Sequence, residues 1–189
     1  MRTLLALALT ATLCLPALAA LKPGAAAPAF TAPAFLAGKP FTYDLKAALK
    51  QGPVVVYFFP AAFTPGCNAE AAAFSRAIDR FKAQGATVIG VTAGNTERLA
   101  AFSSDTEKCA GKFPVAADPG AKIAATFDAT MALKSDLASR TSYLIGRDGK
   151  VVAVYDAMNP NQHVQRMLDA LATLRARPAS TRVPASPRH

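Results

Sequence analysis

The segment FFPAAFTPGCNAE, residues 58–70, sets Cys67 three residues after Thr64 and seven after Pro60, just past an apolar run. A cysteine sulfur is nucleophilic as a thiolate. Thiolates are stabilised where a helix begins, because unpaired backbone N–H groups and the positive end of the helix dipole meet there. Cys67 stands where a strand has ended and a helix is starting, which favours a reactive thiol. Local position alone leaves open a buried small apolar residue or one half of a structural disulfide. The Thr64 hydroxyl, one donor with two acceptor lone pairs, is suited to orienting an oxygen-rich substrate over the sulfur. Pro60 lacks an N–H and has a fixed φ, so it can stiffen the loop and keep water off the thiolate.

The chain has 3 cysteines. Cys14 lies in MRTLLALALTATLCLPALA, where Arg2, an apolar run and the small residues Ala17 and Ala19 make the pattern of a secretory signal peptide cleaved after Ala19. The run is too short for a good membrane span, so no stable membrane anchor is expected. Leu13 precedes Cys14, where a lipoprotein signal needs a small residue. A mature chain that is periplasmic or secreted keeps Cys67 and Cys109, and an oxidising compartment invites a disulfide between them. That bond would be either a permanent staple or a catalytic intermediate. Residues 20–174 are enough for one domain with a real core, so no staple is needed merely to hold the fold.

The net charge is +9, and setting aside Arg2, Arg175, Arg177, Arg182 and Arg188 leaves +4 for residues 20–174. The tail RARPASTRVPASPRH, residues 175–189, is rich in Pro, Ser and Arg with little to bury and reads as disordered. No aromatic residues are interleaved with its arginines, which argues against a nucleic-acid partner.

The remaining elements must position Cys67. Residues 20–42 read as an extended lead-in with a small hairpin around AGKP. DLKAALKQG is a short helix ending at Gly52. PVVVYFFP is a continuous apolar, β-branched and aromatic run, the pattern of a strand covered on both faces, with Pro60 ending it. Phe74, Ile78 and Phe81 recur at helical spacing until Gly85. ATVIGVTA is a second buried strand. A further helix, capped by Asn95 or Thr96, buries Leu99 and Phe102 and ends near Cys109. FPVAADPG is a short strand and turn, and Ile123 and Phe127 mark a brief helix. TSYLIGRDGKVVAVYDA reads as a hairpin about Asp148 and Gly149. The last helix has Asn159 as cap and Pro160 at its first position, and buries Val164, Met167, Leu168, Leu171 and Leu174. This order predicts an α/β fold with a mixed central β-sheet flanked by helices, in one domain.

These residues resemble a known family. Pro60, Thr64 and Cys67 reproduce the P-x-x-x-T-x-x-C signature of the peroxiredoxins. TPGCNAE is similar to the TPGCTxE form of the bacterioferritin-comigratory, or Q-type, branch. The likeness runs from about residue 23 to residue 174, including FPVAADP and RTSYLIGRDGKVV, which resembles the family's strand-turn-strand after its active-site arginine. The resemblance implies a thioredoxin-like fold and a thiol-dependent peroxidase with no cofactor and no metal. Cys67 would attack a peroxide oxygen, becoming a sulfenic acid and releasing water or an alcohol. Thr64 would hold the peroxide, and Pro60 would shield the sulfur. Arg140 would match the arginine that favours the thiolate and stabilises charge developing on the O–O bond, tasks suited to an always-charged planar donor. Without the family, Arg140 reads as a surface charge. Glu70 would orient Arg140 by a charge-assisted hydrogen bond; by itself it favours a first helical turn. Partners would be a peroxide and a thiol reductant, a thioredoxin-like or other exported donor, with the chain a monomer or weak homodimer.

The chain departs from the branch at two places. Ala72 stands where many Q-type members carry a resolving cysteine, leaving Cys109 as the possible resolving thiol; joining the two would require local unfolding around Cys67. Asn68 replaces the usual Thr. Two other readings compete. A periplasmic thioredoxin-like exchanger or redox chaperone normally uses C-x-x-C, but Glu70 takes the second position; in a copper-delivering C-x-x-x-C pattern, Ala71 does. His163 reads as a helix-surface residue, which disfavours metal binding. A non-catalytic binding protein stapled by its two cysteines is the third.

Overall fold

The computed structural model describes residues 20–176. The expected signal peptide, and the expected tail beyond Ala176, lie outside them. The lead-in is a hairpin of β1 (Thr31–Leu36) and β2 (Lys39–Asp44), with Leu36 paired to Lys39. The two residues between them, Ala37 at φ 50° and Gly38 at φ 78°, adopt the left-handed conformation that a two-residue hairpin turn requires. Helix α1 (Leu45–Gln51) follows, capped by Asp44, whose carboxylate accepts from the Ala47 N–H at 3.0 Å.

Strand β3 (Val54–Ala61) lies inside a seven-stranded sheet. Its apolar run is continuous because both faces are covered. Val55, Tyr57 and Phe59 face one core, shared with helix α2 (Pro65–Ala83) through Phe74, Ile78 and Phe81, with helix α3 (Leu99–Ser104) and with helix α5 (His163–Ala176). Val54, Val56 and Phe58 face the other, closed by α1 and helix α4 (Lys122–Thr126). Strand β4 (Thr87–Gly94) runs parallel to β3, and β5 (Val115–Ala117) parallel to β4. The hairpin of β8 (Thr141–Ile145) and β9 (Val151–Asp156) adds antiparallel to the other side of β3. The sheet order is β2-β1-β5-β4-β3-β8-β9, mixed as expected. A separate small hairpin, β6 (Thr130–Met131) with β7 (Lys134–Ala138), carries no strong sequence signal and is absent from the reading above.

The structure corrects four details. Pro60 does not end β3, which runs on to Ala61. Pairing with β8 stops at Phe58 and Thr141, so Pro60 sits where no ladder N–H is needed on that side. Asn95 does not cap a helix with its side chain: it adopts φ 55°, a short 3-10 turn over residues 96–98 follows, and only then does α3 begin. Helix α3 stops at Ser104 rather than near Cys109. Asp105 is extended and its carboxylate accepts the Glu107 N–H at 2.9 Å, a local bond that competes with continued helix and leaves Cys109 on the turns that follow. Helix α5 begins at His163, after a 3-10 turn over 160–162 capped by Asn159, and continues through Arg175 and Ala176, two residues into the expected tail.

Candidate active site

The site grows from the link between β3 and α2. The Asn95 amide donates to the Ala62 carbonyl at 2.7 Å and so ties the end of β4 to the chain leaving β3. Phe63 then takes a left-handed φ of 61°, uncommon for a bulky residue. Its ring packs against the Arg98 guanidinium, 4.0 Å from its centre, and edge-to-face with Phe102 at 5.2 Å. Thr64 occupies the N-cap position without capping through its side chain, and Pro65 opens the helix, where its missing N–H does no harm. The Thr64 hydroxyl donates to the Ala61 carbonyl at 3.0 Å, which leaves its lone pairs to accept a hydrogen bond from a bound molecule. Cys67 is the third helical residue and is buried, in the first turn where N–H groups lack helical partners.

Arg140, immediately before β8, reaches this turn from 73 positions away along the chain and is only 4% exposed. Its Nη2 donates to Cys67 Sγ at 3.5 Å. Nη1 donates to Glu70 Oε2 and, at 3.4 Å, to the Gly66 carbonyl; Nε donates to the Met158 carbonyl at 3.0 Å. All arms of the planar fork are thereby used, a geometry that Lys cannot reproduce. Burial works against the guanidinium charge, but Glu70 and Cys67 outweigh it and hold Arg140 still more firmly protonated. The surface-charge reading of Arg140 is thus wrong, and the pairing with Glu70 is present. Glu70, one helical turn beyond Cys67, is fully buried; desolvation pushes its carboxyl up to about 7 even though Arg140 pulls the other way.

His163 is a correction. It is fully buried, not on the helix surface. Its Nε2 lies 2.9 Å from the Ala157 carbonyl, its Nδ1 2.8 Å from the Ser142 hydroxyl and 3.5 Å from Glu70 Oε1. His163 lies four residues before Met167 and eight before Leu171, on the same buried face of α5, so helical periodicity turns its ring inward and only its polarity favoured the surface reading. Cys109 is also fully buried on the same side of the sheet, and desolvation, aided by Asp105, raises its thiol far above the ordinary range. Both cysteines are free thiols. Pro60 is half-buried, its carbonyl accepting from the Thr92 hydroxyl at 3.1 Å. Sequence reasoning assigned no site role to Gly66, Asn95, the Met158 carbonyl or His163: Asn95 stood out only as a helix cap and His163 only as a surface residue.

Among the described residues no three His, Cys, Asp or Glu side chains converge as a metal site would need, and no helix is long and apolar enough to cross a membrane. A cavity of about 1180 Å³ opens between Gly52, Lys82, Gly85, Arg147, Lys150 and Arg175, and none of the residues around Cys67 line it. What the Cys67 turn offers is a buried sulfur, a fixed cation and a hydroxyl acceptor. The model of the AhpC/TSA family matches residues 23–154. The chain belongs to that family. A chloroplastic peroxiredoxin Q of Sedum lineare is 34% identical over 127 residues, 67% of this chain and 67% of the relative. Another, of Suaeda salsa, is 34% identical over 126 residues, 66% of this chain but 58% of the relative. Among solved structures, peroxidoxin BcpB from Mycobacterium tuberculosis superposes with a TM-score of 0.72 at 28% identity, over 82% of this chain and 99% of that one. Mycobacterium tuberculosis AhpC, 21% identical with a TM-score of 0.70, shares the fold. This peroxiredoxin therefore has the thioredoxin-like fold, and its activity is that of a thiol-dependent peroxidase. His163 lies beyond the stretch matched by the family model.

Proposed function

We propose that Cys67 of this peroxiredoxin reduces hydrogen peroxide or a small organic hydroperoxide after the chain has been exported. The Cys67 thiolate attacks one peroxide oxygen: an S–O bond forms, the O–O bond breaks, and sulfur is oxidised to a sulfenic acid. The other oxygen, reduced, takes up a proton and leaves as water or an alcohol. Arg140 stabilises the thiolate and the negative charge that moves onto the departing oxygen, and the Thr64 oxygen accepts the peroxide O–H. Pro60 supports the loop and limits water. The observation that carries this reading is the Arg140 Nη2 to Cys67 Sγ contact of 3.5 Å, made by a guanidinium anchored at Glu70, Gly66 and Met158.

The sulfenic acid is then attacked by the Cys109 thiol. Water leaves, a disulfide forms, and an exported thiol reductant returns both sulfurs to thiols. Burial of both cysteines makes local opening of the Cys67 turn part of that step. Residues 1–19 direct the chain to the periplasm or medium, residues 20–176 form the working domain, and that domain acts as a monomer or weak dimer. The test is peroxide consumption by the mature protein with a thiol reductant: it should be rapid, and Cys67→Ser should abolish it. A reaction no faster than that of free cysteine sinks the reading.

A further inference from the structure

His163 and Glu70 meet in a way the peroxidase reading does not use. The Ala157 carbonyl can only accept, so His163 Nε2 carries a hydrogen and donates to it at 2.9 Å. In the neutral ring Nδ1 is then a lone pair, accepting from the Ser142 hydroxyl at 2.8 Å. That same Nδ1 faces Glu70 Oε1 at 3.5 Å, and Oε1 has no hydrogen-bond partner although it is wholly buried. A bare carboxylate oxygen against a lone pair, away from water, is costly. One proton between the two atoms removes the conflict, whether it rides on Oε1 or on Nδ1.

The charges around the sulfur ask for the same proton. Arg140 is positive, while Glu70 and the Cys67 thiolate would both be negative, leaving one uncompensated negative charge in a buried cluster. Resting on the peroxidase reading, we propose that His163 is a positioning residue of this site: together with Glu70 it holds a single proton, so that the Arg140 charge is left to the Cys67 thiolate rather than spent on the carboxylate. The other groups facing the ring are consistent with a proton that resides on the Glu70 side. The Tyr155 ring meets His163 edge-on at 4.8 Å, with the Arg166 guanidinium 5.5 Å from the centre of the tyrosine ring, and Arg140 disfavours a charged imidazole while Asp156 favours one. Desolvation lowers His163 from its ordinary value, whereas it raises Glu70.

The test reads proton and rate separately. The chain has 2 histidines, so ring-nitrogen NMR of labelled protein resolves His163 by comparison with His163→Gln. The expected result is an Nε2–H ring whose shifts move in one step near neutrality, a step missing from Glu70→Gln. A His163 ring that titrates like a free histidine, unchanged in Glu70→Gln, overturns the proposal whether or not the protein is a peroxidase. In rate measurements, the peroxide reaction of His163→Gln and His163→Phe should fall about tenfold, the change that displacing a proton equilibrium by one pH unit brings. Its decline on the alkaline side should move to lower pH. In the Glu70→Gln background, whatever its rate, substituting His163 should leave the pH profile unaltered. Wild-type pH dependence in folded His163→Gln and His163→Phe overturns the proposal while leaving the peroxidase reading intact; loss of the Cys67-dependent reaction in the unaltered protein overturns that reading instead.

Discussion

A Cβ atom built on Gly66 would lie 2.9 Å from Nη2 of Arg140, so the absence of a side chain at Gly66 is what lets the guanidinium approach Cys67. Gly66→Ala should displace the tip of Arg140 rather than the backbone. The helix gains up to about 1 kcal/mol from the better helix former, which offsets part of the strain. The expected outcome is a melting temperature close to wild type with peroxide reactivity lowered by about tenfold or more, as for loss of an oriented charge-stabilising donor. Equal rates for the two proteins in stopped flow would show that the contact is unimportant.

Arg140→Lys keeps a charge but loses the fork that joins Sγ, Glu70, Gly66 and Met158. Its rate with peroxide should drop by about a hundredfold. Arg140→Ala leaves Glu70 buried without its cation, and denaturant unfolding well above neutrality, where the carboxyl is ionised, should show a loss of about 3–5 kcal/mol. The loss should shrink toward neutrality and below, where Glu70 takes a proton. A loss independent of pH would refute that account.

Glu70 also sets a stability slope. Its carboxyl is raised from 4.5 to about 7 in the fold, so between those values the native state binds more protons than the unfolded chain and stability falls as pH rises. The loss is on the order of 3 kcal/mol, complete above the folded value and absent below the unfolded one. His163 acts oppositely: its folded value is lowered, so on acidification the unfolded chain takes a proton that the buried ring refuses, and stability falls as pH drops below the ordinary histidine value. Unfolding of wild type and Glu70→Gln across this range checks both, the variant lacking the decline from about 4.5 to about 7.

Cys109 should meet Cys67 only through an opened state. After one equivalent of peroxide, mass spectrometry should find an intramolecular disulfide in the wild type and a persistent sulfenic acid in Cys109→Ser. The rate of disulfide formation should rise in urea concentrations well below the unfolding midpoint, because local opening precedes bonding. A rate insensitive to urea, or identical products in the variant, would remove Cys109 from the cycle.

The elements that the sequence declares most clearly are those whose causes lie within a few residues. The apolar run of β3, the Asp148-Gly149 hairpin, and the helix expected from about Cys67 to Gly85 are where their local patterns put them, α2 beginning two residues earlier, at Pro65. One exception has a local cause too, but one that composition does not reveal: the Asx bond at Asp105 ended α3 early, whereas α5 buries the apolar face its periodicity predicts, with His163 on it. The site was half legible. Pro60, Thr64, Cys67 and Glu70 share one short segment, and Arg140 entered through the family likeness rather than through any property of its own neighbours.

By itself the sequence determined the nucleophile's place at a helix start, the hydroxyl and proline beside it, and the strands that build the sheet, since each depends on bonding and periodicity along a short stretch of chain. Only the tertiary structure decided that a guanidinium 73 residues away touches Sγ, that Gly66 leaves room for it, and that His163 faces Glu70. Those relationships come from two helices and a strand end packing around one dry volume, where desolvation makes each charge depend on the next, and no local pattern encodes a charge's distant partner.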